Sequence, residues 1–407
     1  MEADMEAPCN LKHTRLNKNR TQKAMKRTRV FQTIVMIAIL WTLTGCWDAK
    51  EVQDINYVKT LGIDYVKGEY VVYAVMLDFT SVAKQEGGKP SQKASVWVSR
   101  TSGISINDAI DKLYHTSQQH MFFAHISSII YSEAVLKQGP EVVFDLTNRY
   151  HEIRYTKWVY TTQDQMDKLL SVTPFFNESP ISSILNAPME TYKQSSHITP
   201  IQFHRFIANY NELGRTTLLP SLSINKETWK ENLKNHELLE IDGCMIIDHG
   251  NIRGKLTKEK LSGLRWVNPK TIRTPVSITD NENKIIATIV IRKPKVKIEH
   301  HIQEGKLTFQ VQVKLSGTLN ELAQSISEKQ LKELAIKQIK KEIYDTYKEG
   351  IGLKADIYQL GYGLLLEDPA HWKHFFGKES FPLYRDSLNS VDVQLRINNS
   401  GKYQFRI

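Results

Sequence analysis

The chain is poor in cysteine, with three among 407 residues. Cys9 and Cys46 lie near the start and Cys244 stands alone after them, so the body of the chain has no intramolecular disulfide available. Catalytic signatures are missing too: no nucleophile elbow, P-loop, dinucleotide fingerprint or His-Glu-x-x-His occurs. No apolar run reaches the roughly 20 residues that a membrane-spanning helix needs, and no internal repeat is present. These absences turn the reading away from disulfide scaffolds, common hydrolase and nucleotide-binding classes, and multi-span membrane proteins. The formal charge of +10 is also less than it looks. Residues 1–45 hold eight Lys/Arg and three acids, which leaves 46 basic against 41 acidic residues, a net of +5, for the remainder. Lys337, Lys340 and Lys341 share one helix with Glu333, Glu342 and Asp345, so no basic patch of the kind that grips nucleic acid stands out.

What is present begins with a short apolar run, Val30 to Leu40, preceded by Lys26, Arg27 and Arg29. A basic region, a short apolar region and small residues after it make a secretory signal. Cys46 follows directly on Leu43-Thr44-Gly45, and this segment resembles a bacterial lipobox. Cleavage is expected between Gly45 and Cys46. Cys46 is then the lipid attachment residue, with an S-diacylglyceryl group on its thiol and an N-palmitoyl group on the new terminus. Met1 to Ala24 is polar and aperiodic, and Met25 to Arg29 alone would make a conventional signal start. Residues 1–24 are therefore expected to be a misassigned or disordered leader, and 25–45 the lipoprotein signal peptide.

The rest of the chain, 41% apolar overall, is long enough for more than one core. Residues 46–171 alternate strands and helices: a hairpin over Tyr57–Tyr65 and Tyr70–Leu77, a strand over Ala94–Arg100, and a helix over Ser105–Tyr114 with Ile106, Ala109, Ile110 and Leu113 on one face. A buried strand over His125–Tyr131, a helix through Glu141–Leu146 and a strand at Trp158–Thr161 complete an N-terminal α/β domain. Residues 172–225 form a middle sub-domain punctuated by Pro174, Pro180, Pro188, Pro200 and Pro220. Asn225 to His236 is polar and reads as a boundary. Residues 238–407 read as a C-terminal α+β domain. It opens with the strand Leu238–Ile247, shows strict alternation over Leu307–Leu315, carries a long amphipathic helix over Ser327–Glu349 and ends on the strand Val391–Ile397, its strands expected antiparallel. The fold class is thus α+β or mixed α/β, an elongated multi-domain chain of mixed sheets packed with helices, with no transmembrane span in the mature protein.

Residues with chemical potential form no convincing site. Cys244 sits in the apolar strand Glu240–Ile247 and reads as a small buried thiol. His300 and His301 are adjacent on a strand and point to opposite faces. His120 and His125 have no carboxylate or thiol placed to complete a metal site. Asp242 and Asp248 lie at opposite ends of one strand. No catalytic residue, metal or cofactor is expected, which leaves binding, assembly or signalling at a membrane.

An ordered set of short motifs adds a resemblance. Cys46-Trp47-Asp48 with Glu51 is followed by Leu61-Gly62-Ile63-Asp64, Gly103 to Ile110 and His125 to Ile130. Asp242 to Ile246, Gly254-Lys255-Leu256 and Gly263-Leu264 come next, then Lys354 to Ile357, Gly361 and Pro369-Ala370-His371-Trp372-Lys373. In their order and spacing these residues resemble the Ger(x)C spore germination lipoproteins, the C subunits of nutrient germinant receptors. The resemblance implies a non-enzymatic, lipid-anchored chain of three α/β-type domains on the outer face of the inner spore membrane. It also implies A-type and B-type integral-membrane receptor subunits as partners. It assigns no nutrient, and no direct contact with one, to this chain. Asp356-Ile357, Gly361 and Trp372 are expected to mark a packed turn after the long helix. The alternative reading is a substrate-binding lipoprotein of a membrane importer, which expects two similar lobes around a cleft; a cell-wall enzyme lacks an acid/base pair.

Overall fold

Tyr57 to Tyr65 and Tyr70 to Leu77 do pair as a hairpin in the computed structural model. It describes residues 25, 27, 29–38, 55–77, 95–149, 152–177, 183–280, 282–377 and 381–398. The chain divides into one unit over Met1–Asp54 and another over Ile55–Ile407. In the first unit, residues 29–38 are helical with exposed side chains. Among the described residues no helix is long and apolar enough to cross a membrane.

The second unit is built on two sheets. In the first, β1 (Ile55–Val66) turns through Lys67 and Gly68, both at positive φ, into β2 (Glu69–Leu77), and β3 (Trp97–Gly103) adds outside β2. On the other side of β1 come β5 (Ser128–Ser132) and β6 (Trp158–Thr162), both parallel, with β4 (His120–Phe122) beside β1 and β7 (Ile201–Gln202) beside β6. The sheet then continues through β8 (Thr216–Glu231), β9 (Lys234–Asp248) and β10 (Asn251–Thr257). Ile129, Ile130 and Tyr131 are all fully buried because both faces are covered, as a run of consecutive apolar residues requires. Ile129 and Tyr131 face α1 (Ile106–Tyr114), α2 (Glu133–Gln138) and α3 (Glu141–Arg149). Ile130 faces α4 (Met166–Leu170) on the opposite side with Tyr73, Tyr160 and Leu222. The face read for α1 is the buried one, and Ser105 caps it by accepting from the Asp108 N–H at 3.1 Å.

Asn225 to His236, expected as a boundary, is instead the outer part of the β8–β9 hairpin, with Trp229 paired to His236 and Glu231 to Lys234. Its polarity has a simple cause. Neither β6 nor β10 reaches this far, so the ribbon is two strands wide and β8 is exposed from Lys226 to Glu231. The hydrogen-bonded sheet therefore runs through this position to Thr257, and the second sheet begins at Thr274.

That second sheet orders as β11 (Thr274–Thr279), β12 (Ile285–Gln303), β13 (Lys306–Leu322) and β14 (Leu388–Asn398). The expectation of antiparallel strands throughout is corrected at its edge, where β14 runs parallel to β13. A parallel pair needs a long crossover, and the helical stretch between the two strands supplies it. It comprises α8 (Glu328–Gly352), α9 (Leu360–Glu367) and α10 (Pro369–Phe376), numbered after α5 (Pro188–Gln194), α6 (Phe203–Asn211) and α7 (Leu264–Val267). A capping box between Ser327 and Gln330 starts α8. Leu331, Ala335, Ile339 and Ile343 bury one side of it against Phe309, Val311, Val313 and Val393.

Two polar clusters lock these parts together. Glu342 Oε2 accepts from Arg265 Nη2 at 2.8 Å and from the fully buried Trp266 Nε1 at 2.7 Å, which ties α7 to α8. Beside it the Gly263 N–H donates to Thr346 Oγ1 at 2.9 Å. A methyl group on Gly263 would lie 2.5 Å from the Glu342 carbonyl oxygen and 2.9 Å from the Ile343 Cα, so only glycine allows this approach. The second cluster docks the turn after α8 onto the first sheet. The Asp356 N–H donates to Thr216 Oγ1 at 3.2 Å, that hydroxyl donates to Asp248 Oδ1 at 2.9 Å, and Gln359 Nε2 donates to the Thr216 carbonyl at 2.6 Å. Asp356 in turn accepts from the Gly361 N–H at 2.7 Å, while Arg253 and His249 hold Asp248. Burial pushes the Asp356 carboxyl up to about 6, against the pull of the Gly361 and Leu360 N–H groups and with Asp248 repelling it.

Two outcomes follow. Gly263→Ala should lower stability by about 1–3 kcal/mol, the usual cost of overpacking against backbone, read as a lower midpoint in urea unfolding. Asp356 ionises later in the folded chain than in the unfolded one. Its contribution is therefore complete below the ordinary carboxylate range near about 4 and is lost as pH rises through about 6. Asp356→Asn should remove this loss, so the melting temperature of the variant relative to the parent should rise between pH 4 and pH 7; a constant difference would contradict the assignment.

Candidate functional site

Gly45 and Cys46, the expected cleavage and lipid attachment residues, lie outside the described residues, as does Trp47. The residues weighed for chemistry fall in separate places. Cys244 is buried on β9 between the apolar side chains of Ile246, Leu256, Ala355 and Ile357. Burial raises its thiol far above the usual range, so it is held as an unreactive neutral group. Asp242 pairs with Lys255 at 2.6 Å and Asp248 with Arg253 at 3.2 Å. Asp248 ends β9 as expected, but Asp242 lies in its middle, because the strand extends back to Lys234. His125 packs against the Tyr57 and Phe122 rings, and His300 meets Glu367 at 3.4 Å. Among the described residues no three His, Cys, Asp or Glu side chains converge as a metal site would require.

The turn carrying Asp356, Ile357, Gly361 and Trp372 is packed, as the sequence suggests. Trp372 is buried against Gly214, which sits at φ +70, and stacks on Phe376 with ring centroids 5.7 Å apart. Of its anchors on the first sheet, Thr216 is not singled out by the sequence, and Asp248 is read there only as one end of a strand. Nothing in their local pattern distinguishes them, because the contact joins positions about 140 residues apart.

A second feature escaped the sequence entirely. The proline-punctuated segment folds against β9 and leaves a cavity of about 360 Å³. Phe175, Ile184, Leu239 and Ile241 form apolar walls, and His197, Glu240 and Lys258 add polar groups. Lys258 Nζ donates to Glu240 Oε2 at 3.1 Å, and Asn225 Nδ2 donates to the other oxygen, Glu240 Oε1, at 3.1 Å. Phe175 is held in place by edge-on contact with Trp229 at 4.7 Å and by stacking on His236 at 5.8 Å. Burial, reinforced by the positive charges of Arg265 and Lys258, lowers His197 to about 4, so its imidazole is neutral at neutral pH. Prolines 174, 188 and 200 were legible as breaks. That they arrange three distant segments around one space was not.

Comparison with known proteins matches two consecutive stretches of the chain. A family model described as the spore germination protein N-terminal domain matches residues 48–224, and one described as spore germination B3/GerAC-like, C-terminal, matches residues 242–401. Spore germination protein KC of Bacillus subtilis (strain 168) is 21% identical, with 92% of this chain and 98% of that protein covered. Spore germination protein B3 of the same organism is 23% identical, with 90% and 97% covered. The crystal structure of the GerBC protein matches with a TM-score of 0.50 at 18% identity, covering 83% of this chain and 96% of the other. The fold is shared: a mixed α/β chain with two mixed sheets. Matched by both terminal-domain models in order, and by germination proteins along nearly their whole length, this chain belongs to the Ger(x)C family of spore germination proteins.

Proposed function

We propose that the chain is the lipid-anchored C subunit of a nutrient germinant receptor, held on the outer face of the inner spore membrane. It acts by binding and assembly, without catalysis, beside A-type and B-type integral-membrane subunits. The observation that carries the anchor is Cys46 directly after Leu43-Thr44-Gly45, at the end of a short apolar run behind Lys26, Arg27 and Arg29. A diacylglyceryl group supplies two acyl chains. Each buried CH₂ contributes about 0.8 kcal/mol, and one chain alone binds a membrane only marginally. Family membership supports the receptor role, and the division into residues 46–171, 172–225 and 238–407 is kept here as a proposed set of functional parts. The importer reading gains nothing from the fold. A ten-stranded sheet covered on both faces and a four-stranded sheet are not a pair of similar lobes.

Two measurements test this. Cys46→Ala should move the protein from the spore membrane fraction to the soluble fraction and abolish metabolic labelling with palmitate. Affinity purification of the tagged parent from detergent-solubilised spore membranes should recover multi-span A- and B-type subunits. A variant that stays in the membrane, or a parent recovered alone or with importer components, would refute the respective half of the proposal.

A further inference from the structure

The cavity beside β9 belongs to neither the anchor nor the joint between the sheets, and its groups are chemically asymmetric. Its volume of about 360 Å³ falls at the lower end of the range of small-molecule sites, roughly 300–1,000 Å³. Both carboxylate oxygens of Glu240 already accept a hydrogen bond, one from Lys258 and one from Asn225. Lys258, by contrast, spends one of the three donors of its ammonium group on Glu240, and its side chain is 42% exposed. An incoming anion therefore finds ammonium donors on Lys258 still open to it. His197 lines the same space as a neutral imidazole with one N–H to offer, and the nearby Arg265 and Lys258 outweigh the acids in the charge it feels. The remaining wall is mainly apolar, with hydroxyls of Thr173, Ser183, Thr191 and Ser195 among the lining, and Phe175 is braced by Trp229 and His236.

We propose that this cavity is a binding site for a small organic monoanion with an apolar body, its carboxylate on Lys258 and His197 and its body between Phe175, Ile184, Leu239 and Ile241. The site does not depend on the anchor or on receptor partners, because all of these residues lie between positions 175 and 258. Its failure would leave the function proposed above untouched, and the converse holds as well.

The test titrates the full-length chain in detergent solution with three probes of one shape: 4-phenylbutyrate, the neutral 4-phenylbutanol and the cationic 4-phenylbutylamine. Calorimetry should show saturable binding of the acid at millimolar concentration or below, weaker binding of the alcohol and weakest of the amine. Lys258→Met should weaken the acid by about tenfold or more, the scale of one charge-assisted hydrogen bond, and leave the alcohol unchanged. Ile184→Trp, which fills the space, should abolish binding of both. The exposed Lys258 makes its variant the safer of the two to fold, and circular dichroism would check each. Equal binding of acid and amine, no saturable binding of the acid, or an unaltered acid affinity in Lys258→Met would each overturn the proposal.

Discussion

Burying Asp248 and Asp356 side by side is the constraint around which the two sheets are joined. An unpaired buried carboxylate costs several kcal/mol, so each must find donors. Asp248 takes them from Thr216, Arg253 and His249 within the first sheet, and Asp356 from the Gly361 N–H of its own turn. The bonds that cross the joint, from the Asp356 N–H and Gln359 Nε2 to Thr216, fix where the turn after α8 docks. Lys354 at φ 53 and Gln359 at φ 59 bend the chain sharply enough to bring Asp356 onto Thr216. Once that turn is seated, Ala355 and Ile357 close over Cys244, Ile246 and Leu256, and the thiol loses contact with solvent. A polar requirement thus sets the position of an apolar core.

Local periodicity made most elements legible. Ile106, Ala109, Ile110 and Leu113 marked a helix face that is buried, and the alternation over Leu307–Leu315 marked a strand with one buried side. Two readings missed for reasons that lie in neighbours and not in propensity. The polar stretch 225–236 is strand because its exposure comes from the shortness of β6 and β10, which a single segment does not record. The direction of β14 is set by the helices inserted before it, while its own pattern of Val391, Val393, Leu395 and Ile397 fits either direction. The site shows the same limit. Lys258 and His197 are unremarkable in sequence, and their meeting at one cavity depends on how a proline-broken segment folds back.

The glycines quoted for the family resemblance have a physical meaning of different kinds. Gly263 lets two helices touch through their backbones. Gly361 donates to Asp356 and leaves room for the Phe376 ring. Such positions constrain shape and not chemistry: each is a close approach that a side chain would block.

The parallel pairing of β13 with β14 also governs the order in which the chain can finish folding. A hairpin such as β12–β13 can close as soon as its own residues are present, at the expense of one short loop. β14 begins at Leu388, and its partner residue is Phe309, so the edge of the second sheet stays open until the 78 residues after Phe309 have been made. Until then Val311 and Val313 have lost Val391 and Val393 as neighbours, and a row of β13 amides and carbonyls is left unsatisfied. A chain stopped short of Leu388 would keep every strand of the first sheet while leaving the β13 border unpaired and open to association.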